Sequence, residues 1–238
     1  MDKKPIIEHL EELRLRMIKI ILIIFFGILI TFNYGDFFIE LLLRPIRIFF
    51  LNSGSGQIIY TGLLDKILSQ MQLSLWLSVV LTSPLWFFQI WRFIKPALLT
   101  KEIKIVRPLI IISFLLFCLG VFLGHAIVLP LLIKLFINFG VSNVNAFINM
   151  KDYLILSSKL ILGFGILFQI PNIIIILRMT NIVSFSRLNS ARRYAYVAFT
   201  ILAAIVTPPD VFTMLLVLVP LIILFEIGLV LSFIMIRK

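Results

Sequence analysis

The chain has little charge and few of the groups from which catalytic chemistry is built. Only 14% of its 238 residues are Asp, Glu, Lys or Arg, against roughly a quarter in ordinary soluble domains. Its one cysteine, Cys118, excludes an intrachain disulfide. His125 has no Cys, Asp or second His at ligand spacing, which argues against a metal centre. The NSGSG stretch at 52–56 lacks the Lys and the following Ser or Thr of a nucleotide loop. Ser and His form no triad-like arrangement, and no repeat or low-complexity tract is evident. These absences predict neither enzyme, cofactor nor metal. Acid is scarcer than base: 11 Asp and Glu face 22 Lys and Arg, a net charge of +11.

What abounds is apolar surface. Hydrophobic residues make up 61% of the chain and the mean hydropathy is +1.15, where soluble domains are roughly 45–50% apolar. Such a chain needs a bilayer as solvent. In a soluble protein the positive charge would suggest nucleic acid, whereas here it points to loops on the cytoplasmic side of a membrane. The length suits one membrane domain, residues 1–238, with no second, soluble domain. The first apolar run follows sixteen mixed-charge residues and has no small-residue cleavage site after it, against a removed signal peptide.

A helical span needs about 20 mostly apolar residues. Six are predicted, at about 17–34, 69–91, 108–130, 153–177, 194–206 and 212–234, giving an all-α polytopic fold. Pro84 should kink the second. The connection before it, with Arg44-Pro45, reads as short interfacial helices. TPPD at 207–210 breaks the last apolar stretch into two short spans that form a hairpin, the first too short for a full core unless the bilayer thins. Basic residues cluster in the N-terminal segment (Lys3, Lys4, Arg14, Arg16, Lys19) and the loop from Arg92 to Arg107. They cluster again in the loop from Arg178 to Arg193 and in the Arg237-Lys238 tail. Six spans put all four segments on one side, so both termini are expected to be cytoplasmic.

The rare acids carry information. In EHLEELRLR at 8–16, Glu12 and Arg16 have ion-pair spacing for a helix. The stretch reads either as an amphipathic entry helix held by such pairs or as carboxylates offered to a cationic ligand, guanidinium groups being matched best by carboxylates. Glu226 lies within the sixth span, where an ionisable group is costly and normally faces protein or water. It is a functional candidate, or else a neutral acid bonded to a neighbouring helix.

Four blocks carry a resemblance: HLEELRLR at 9–16, SPLWFFQIWRFIKPALLTKE at 83–102, TPPDVF at 207–212 and FEIG at 225–228. In order and spacing they resemble the signature blocks of the TatC family, the multispanning core subunit of the twin-arginine protein translocase, across nearly the whole chain. The resemblance implies binding of paired-arginine signal peptides of folded precursors at the cytoplasmic face, with Glu12 and Glu102 matching the family's two glutamates there. It implies that Arg14 and Arg16 orient or balance those acids. Phe93 and Pro96 match the family's Trp-x-Phe-x-x-Pro and would shape the loop presenting Glu102, although Pro96 reads equally well as a helix breaker. Gln169 stands where the family often has glutamate, the polar contact for a partner helix. Gln can donate and accept hydrogen bonds but cannot titrate. Pro208, Pro209 and Asp210 match the far-side turn, where Asp210 would cap the last helix.

Partners implied by the resemblance are TatA- and TatB-like single-span proteins and further copies of the chain, driven by the proton-motive force. The membrane would be bacterial cytoplasmic, mitochondrial inner or thylakoid. The competing expectation is a proton-coupled small-molecule transporter with Glu226 as its relay. Against it stand the lack of a repeat and the concentration of distinctive residues at the cytoplasmic face.

Overall fold

The computed structural model of the chain describes residues 6–53, 56–95, 103–138, 147–180, 182–206 and 211–235. In chain order these form α1 (Ile6–Asn33), α2 (Gly35–Ser53), β1 (Gln57–Ile59), α3 (Asp65–Leu81), α4 (Ser83–Ile94) and α5 (Ile103–Leu123). A π turn at Gly124–Val128 leads into α6 (Leu129–Asn138). Then follow β2 (Phe147–Asn149), α7 (Met150–Leu167), α8 (Ile170–Met179), α9 (Phe185–Ser190), α10 (Arg192–Val206) and α11 (Val211–Met235).

Among the described residues four helical stretches are long and apolar enough to cross a membrane: Leu10–Asn33, Pro108–Leu135, Met150–Met179 and Val211–Ile234. The α3–α4 pair, bent by 56°, makes a fifth if it is one broken span. Its bend falls at Thr82, with Pro84 in the first turn of α4, where the proline tolerates the missing N–H. The expected fifth span, α10, has 15 residues, or about 22 Å of helix, short of a roughly 30 Å core. The helix of the first stretch begins at Ile6, so EHLEELRLR lies on the same helix as the apolar run that follows it. The fold is mostly helical, with one short strand pair beside the helices. Residues Gln57–Ile59 pair in parallel with Phe147–Asn149, a three-residue register of mostly β-branched and aromatic side chains.

The chain divides into two compact units. The first comprises Met1–Pro96 and His125–Leu162. In it α1 packs along α3 and α4 through small and hydroxyl-bearing residues. A Cβ on Gly27 would lie 2.4 Å from Ser78 Oγ, so only glycine permits this approach. Ser78 Oγ donates to the Ile24 carbonyl at 2.6 Å, and Thr31 Oγ1 to that of Ser74 at 2.8 Å. Without a hydrophobic drive between helices in lipid, close packing and such bonds hold them together. Amphipathic α2 buries Leu42, Leu43 and Ile46 while exposing Arg44, Arg47 and Ile48, the pattern of an interfacial helix. It leans on α3 and α6, and the Tyr153 hydroxyl of α7 donates to its Leu42 carbonyl at 2.7 Å.

The second unit comprises Ala97–Gly124 and Gly163–Lys238. Here α8 lies against α11, flanked by α9 and α10. Ile174, Leu188, Phe225 and Leu229 form its buried centre, with Phe199 and Tyr196 packed on them.

Candidate functional site

Glu12 and Arg16 sit one turn apart on α1, on the same face because a helix repeats every 3.6 residues. Arg16 Nε donates to Glu12 Oε1 at 3.1 Å, and its Nη2 meets the same oxygen. Arg16 Nη1 also reaches Gln89 Oε1 on α4 at 3.5 Å, the long limit of a hydrogen bond. The two side chains keep 13% (Arg16) and 19% (Glu12) of their exposure. The pair is shielded but remains open at its edge. Its chemistry is that of a carboxylate already holding a guanidinium.

Arg14 is not part of this cluster. Two positions from Glu12, it lies about 200° round the helix, is exposed, and has no ion-pair partner among the described residues. Phe93 is half-buried in the last turn of α4. Glu102, Pro96, Pro208, Pro209 and Asp210 lie outside the described residues. Gln89 was not anticipated; its only signal in the sequence is polarity within the apolar run SPLWFFQIW.

Gln169 stands at the break between α7 and α8. Its Nε2 donates to the Ser113 carbonyl at 3.0 Å, and its Oε1 accepts from Asn172 Nδ2 at 2.9 Å. Both ends of the amide are thus used inside the unit. A carboxylate could accept from Asn172 but could not donate to Ser113, which suits glutamine to this site as built.

Glu226, expected either as a functional candidate or as an acid bonded to a neighbouring helix, is bonded to α10. Tyr196 Oη donates to its Oε1 at 2.5 Å and Arg192 Nη2 pairs with its Oε2 at 2.9 Å. The cluster ties α10 to α11 and engages both carboxylate oxygens. Spacing held a clue: Arg192 stands fourteen residues before the end of α10 and Glu226 fifteen after the start of α11. Arms of equal length in a hairpin bring such positions opposite each other.

A third polar cluster was not foreseen at all. Asp65, at the start of α3, accepts from the Gly62 N–H at 2.8 Å and from Thr61 Oγ1 at 3.2 Å. It also pairs with Lys151 Nζ at 3.2 Å. Asn149 Nδ2 donates to Thr61 Oγ1 as well. The cluster pins the β1–α3 connection to the start of α7. Nothing local in the sequence relates Asp65 to a lysine 86 residues away.

The family model for TatC, described as Sec-independent protein translocase protein, matches residues 8–220. The Sec-independent protein translocase protein TatC of Desulforapulum autotrophicum is 34% identical over 230 residues, 96% of this chain and 84% of its own length. That of Aquifex aeolicus is 32% identical over 236 residues, 98% and 97% of the two chains. A crystal structure of the twin arginine translocase receptor TatC is similar with a TM-score of 0.83 at 31% identity, covering 96% of this chain and 100% of that one. With its long apolar helices, the chain is an integral membrane protein. It belongs to the TatC family of Sec-independent protein translocase subunits.

Proposed function

We propose that this protein is the signal-peptide receptor and core subunit of a twin-arginine translocase, moving folded precursors across its membrane on the proton-motive force. The observation that carries the reading is the likeness to the twin arginine translocase receptor across almost the whole chain; the Glu12 carboxylate, paired with Arg16 yet open at one edge, is the acid it offers. A carboxylate that binds one guanidinium in this setting has the geometry to bind another, so an arginine of the signal peptide can share or replace Arg16. A second arginine needs a second acid, and Glu102 is the candidate. Arg14, Phe93 and Pro96 complete the proposed peptide site.

The same reading takes the chain as one membrane domain with six spans and both termini on the cytoplasmic side, α10 serving as a short fifth span. Single-span TatA- and TatB-like proteins and further copies of the chain are its proposed partners, with Gln169 as the contact for a partner helix and Pro208, Pro209 and Asp210 as a structural turn. A transporter relaying protons through Glu226 is disfavoured, because Tyr196 and Arg192 occupy that carboxylate.

Site-specific crosslinking in membranes tests the receptor reading. A precursor with paired arginines should crosslink to residues flanking Glu12 at least tenfold more than one with paired lysines, the loss of about 1.4 kcal/mol or more that a bidentate contact carries. Equal crosslinking of the two precursors would end it. Glu102→Lys should weaken precursor binding while membrane insertion stays intact; undiminished binding would remove Glu102 from the site.

A further inference from the structure

A cavity of about 820 Å³ opens in the first unit where α2, β1, the start of α3 and the start of α7 meet. Its size is that of a ligand site, and the proposed receptor function leaves it unused. Its walls are of two kinds. Leu43, Phe50 and Met150 supply apolar surface; Arg47 and Lys66 supply two cations, and none of the lining residues is Asp or Glu. Glu40 meets Arg47 at 3.5 Å with both side chains more than half exposed, a pairing weak enough to exchange for another anion. Lys66 has no carboxylate partner among the described residues.

Tyr60, also on the wall, contributes a hydroxyl. Burial and the Asp36 carboxylate raise its pKa above the ordinary 10, so it remains a donor. The shape is held by Gly56, whose φ of 117° is a conformation that side chains disfavour. A Cβ there would also lie 2.4 Å from Phe50 Cε1.

The surroundings indicate what enters. Leu51, on the cavity wall, is 83% exposed, and Leu64, two residues from Lys66, is 64% exposed. Neighbouring bare leucines beside an interfacial helix belong in contact with lipid. The occupant therefore approaches from the bilayer, carries apolar chains, and brings negative charge to two cations. The lining itself offers no acid to the ammonium of a zwitterionic headgroup; the nearby Glu40 faces Arg47, and the Asp36 carboxylate acts on Tyr60. We propose that this cavity binds an anionic phospholipid, its phosphate between Arg47 and Lys66 with the Tyr60 hydroxyl, and its acyl region against Leu43, Phe50 and Met150.

The full-length protein, delipidated in detergent, is titrated with dioleoylphosphatidylglycerol or dioleoylphosphatidylcholine and read by native mass spectrometry. One phosphatidylglycerol should be retained in preference to phosphatidylcholine. R47Q/K66Q should weaken its retention roughly ten- to thirtyfold, about a kilocalorie-scale loss for each cation. K134Q/K159Q, which removes two exposed lysines of the same unit outside the cavity, should not change it. Should the double variant not fold, R47Q and K66Q singly decide the matter, each weakening retention roughly threefold to fivefold. Equal retention of the two lipids, equal losses in both double variants, or full retention in R47Q/K66Q would each overturn the proposal. So would a co-purifying polypeptide that displaces the lipid from the wild-type protein.

Discussion

Two carboxylate–guanidinium pairs in this protein look alike in chemistry and differ in origin. Glu12 and Arg16 belong to one helix and are joined by its pitch. Glu226 and Arg192 belong to two helices and are joined only because α10 packs on α11. The first pair is the more shielded of the two, yet it depends on no tertiary contact to exist. The second has an additional donor in Tyr196 and vanishes if the helices part. A local pair needs no second helix to form, so its acid can exchange one guanidinium for another without parting two helices. A pair across a hairpin is committed to holding two helices together.

Substitutions at four places put this contrast to the test. The largest effect is expected for Glu12→Ala, which leaves Arg16 shielded with Gln89 as its remaining side-chain partner among the described residues. Precursor crosslinking should fall by at least tenfold and unfolding in detergent should lose about 2 kcal/mol, below the range for a fully buried pair because the site is partly open. If binding were unaffected while stability dropped, the α1 pair would be structural, like that of α10–α11.

Gln169→Leu comes next, at about 1–2 kcal/mol, since the Asn172 amide loses its acceptor and the Ser113 carbonyl loses a donor. Thermal unfolding in detergent reads it directly. An unchanged transition would mean these bonds are replaced by others when the amide is removed.

For the hairpin pair, Arg192→Ala and Glu226→Ala should each cost on the order of 1 kcal/mol, both side chains being partly exposed. The double variant should cost no more than the worse single one. Strict additivity in that cycle would deny the ion pair its role in joining α10 to α11. The smallest effect on unfolding in detergent is predicted for Arg14→Ala, within about 0.5 kcal/mol of wild type, since Arg14 contacts neither Glu12 nor another acid among the described residues. A loss equal to that of Arg16→Ala would show that the two arginines share the acid after all.

Much of this protein was readable from residue order. The apolar runs marked the long spans to within a few residues in most cases, and Pro84 marked the bend in the second. Glu12–Arg16 followed from a four-residue spacing. What escaped was set by contacts between distant segments. Gln89 beside Arg16, Lys151 on Asp65 and Arg192 on Glu226 lie 73, 86 and 34 residues from their partners, and no local periodicity encodes such distances. The β1–β2 pairing escaped for the same reason, three residues being too few to show alternation. The expected fifth span illustrates the limit in the other direction: a helix, α10, is present where it was expected, but its 15 residues are not among the stretches long and apolar enough to cross a membrane.

Residue order was thus enough to set the solvent, the helices and the pair on α1, because hydropathy, proline and helical pitch act over a few residues. Packing between distant segments was needed to settle which polar groups the spans share, that Glu226 is tied to a neighbouring helix, and that two cations and an apolar wall meet in one cavity beside α2. Those outcomes depend on which helices approach closely enough to bond. Small residues such as Gly27 and Gly228 at the contacts control that approach, and they act over the whole packed unit rather than along the chain.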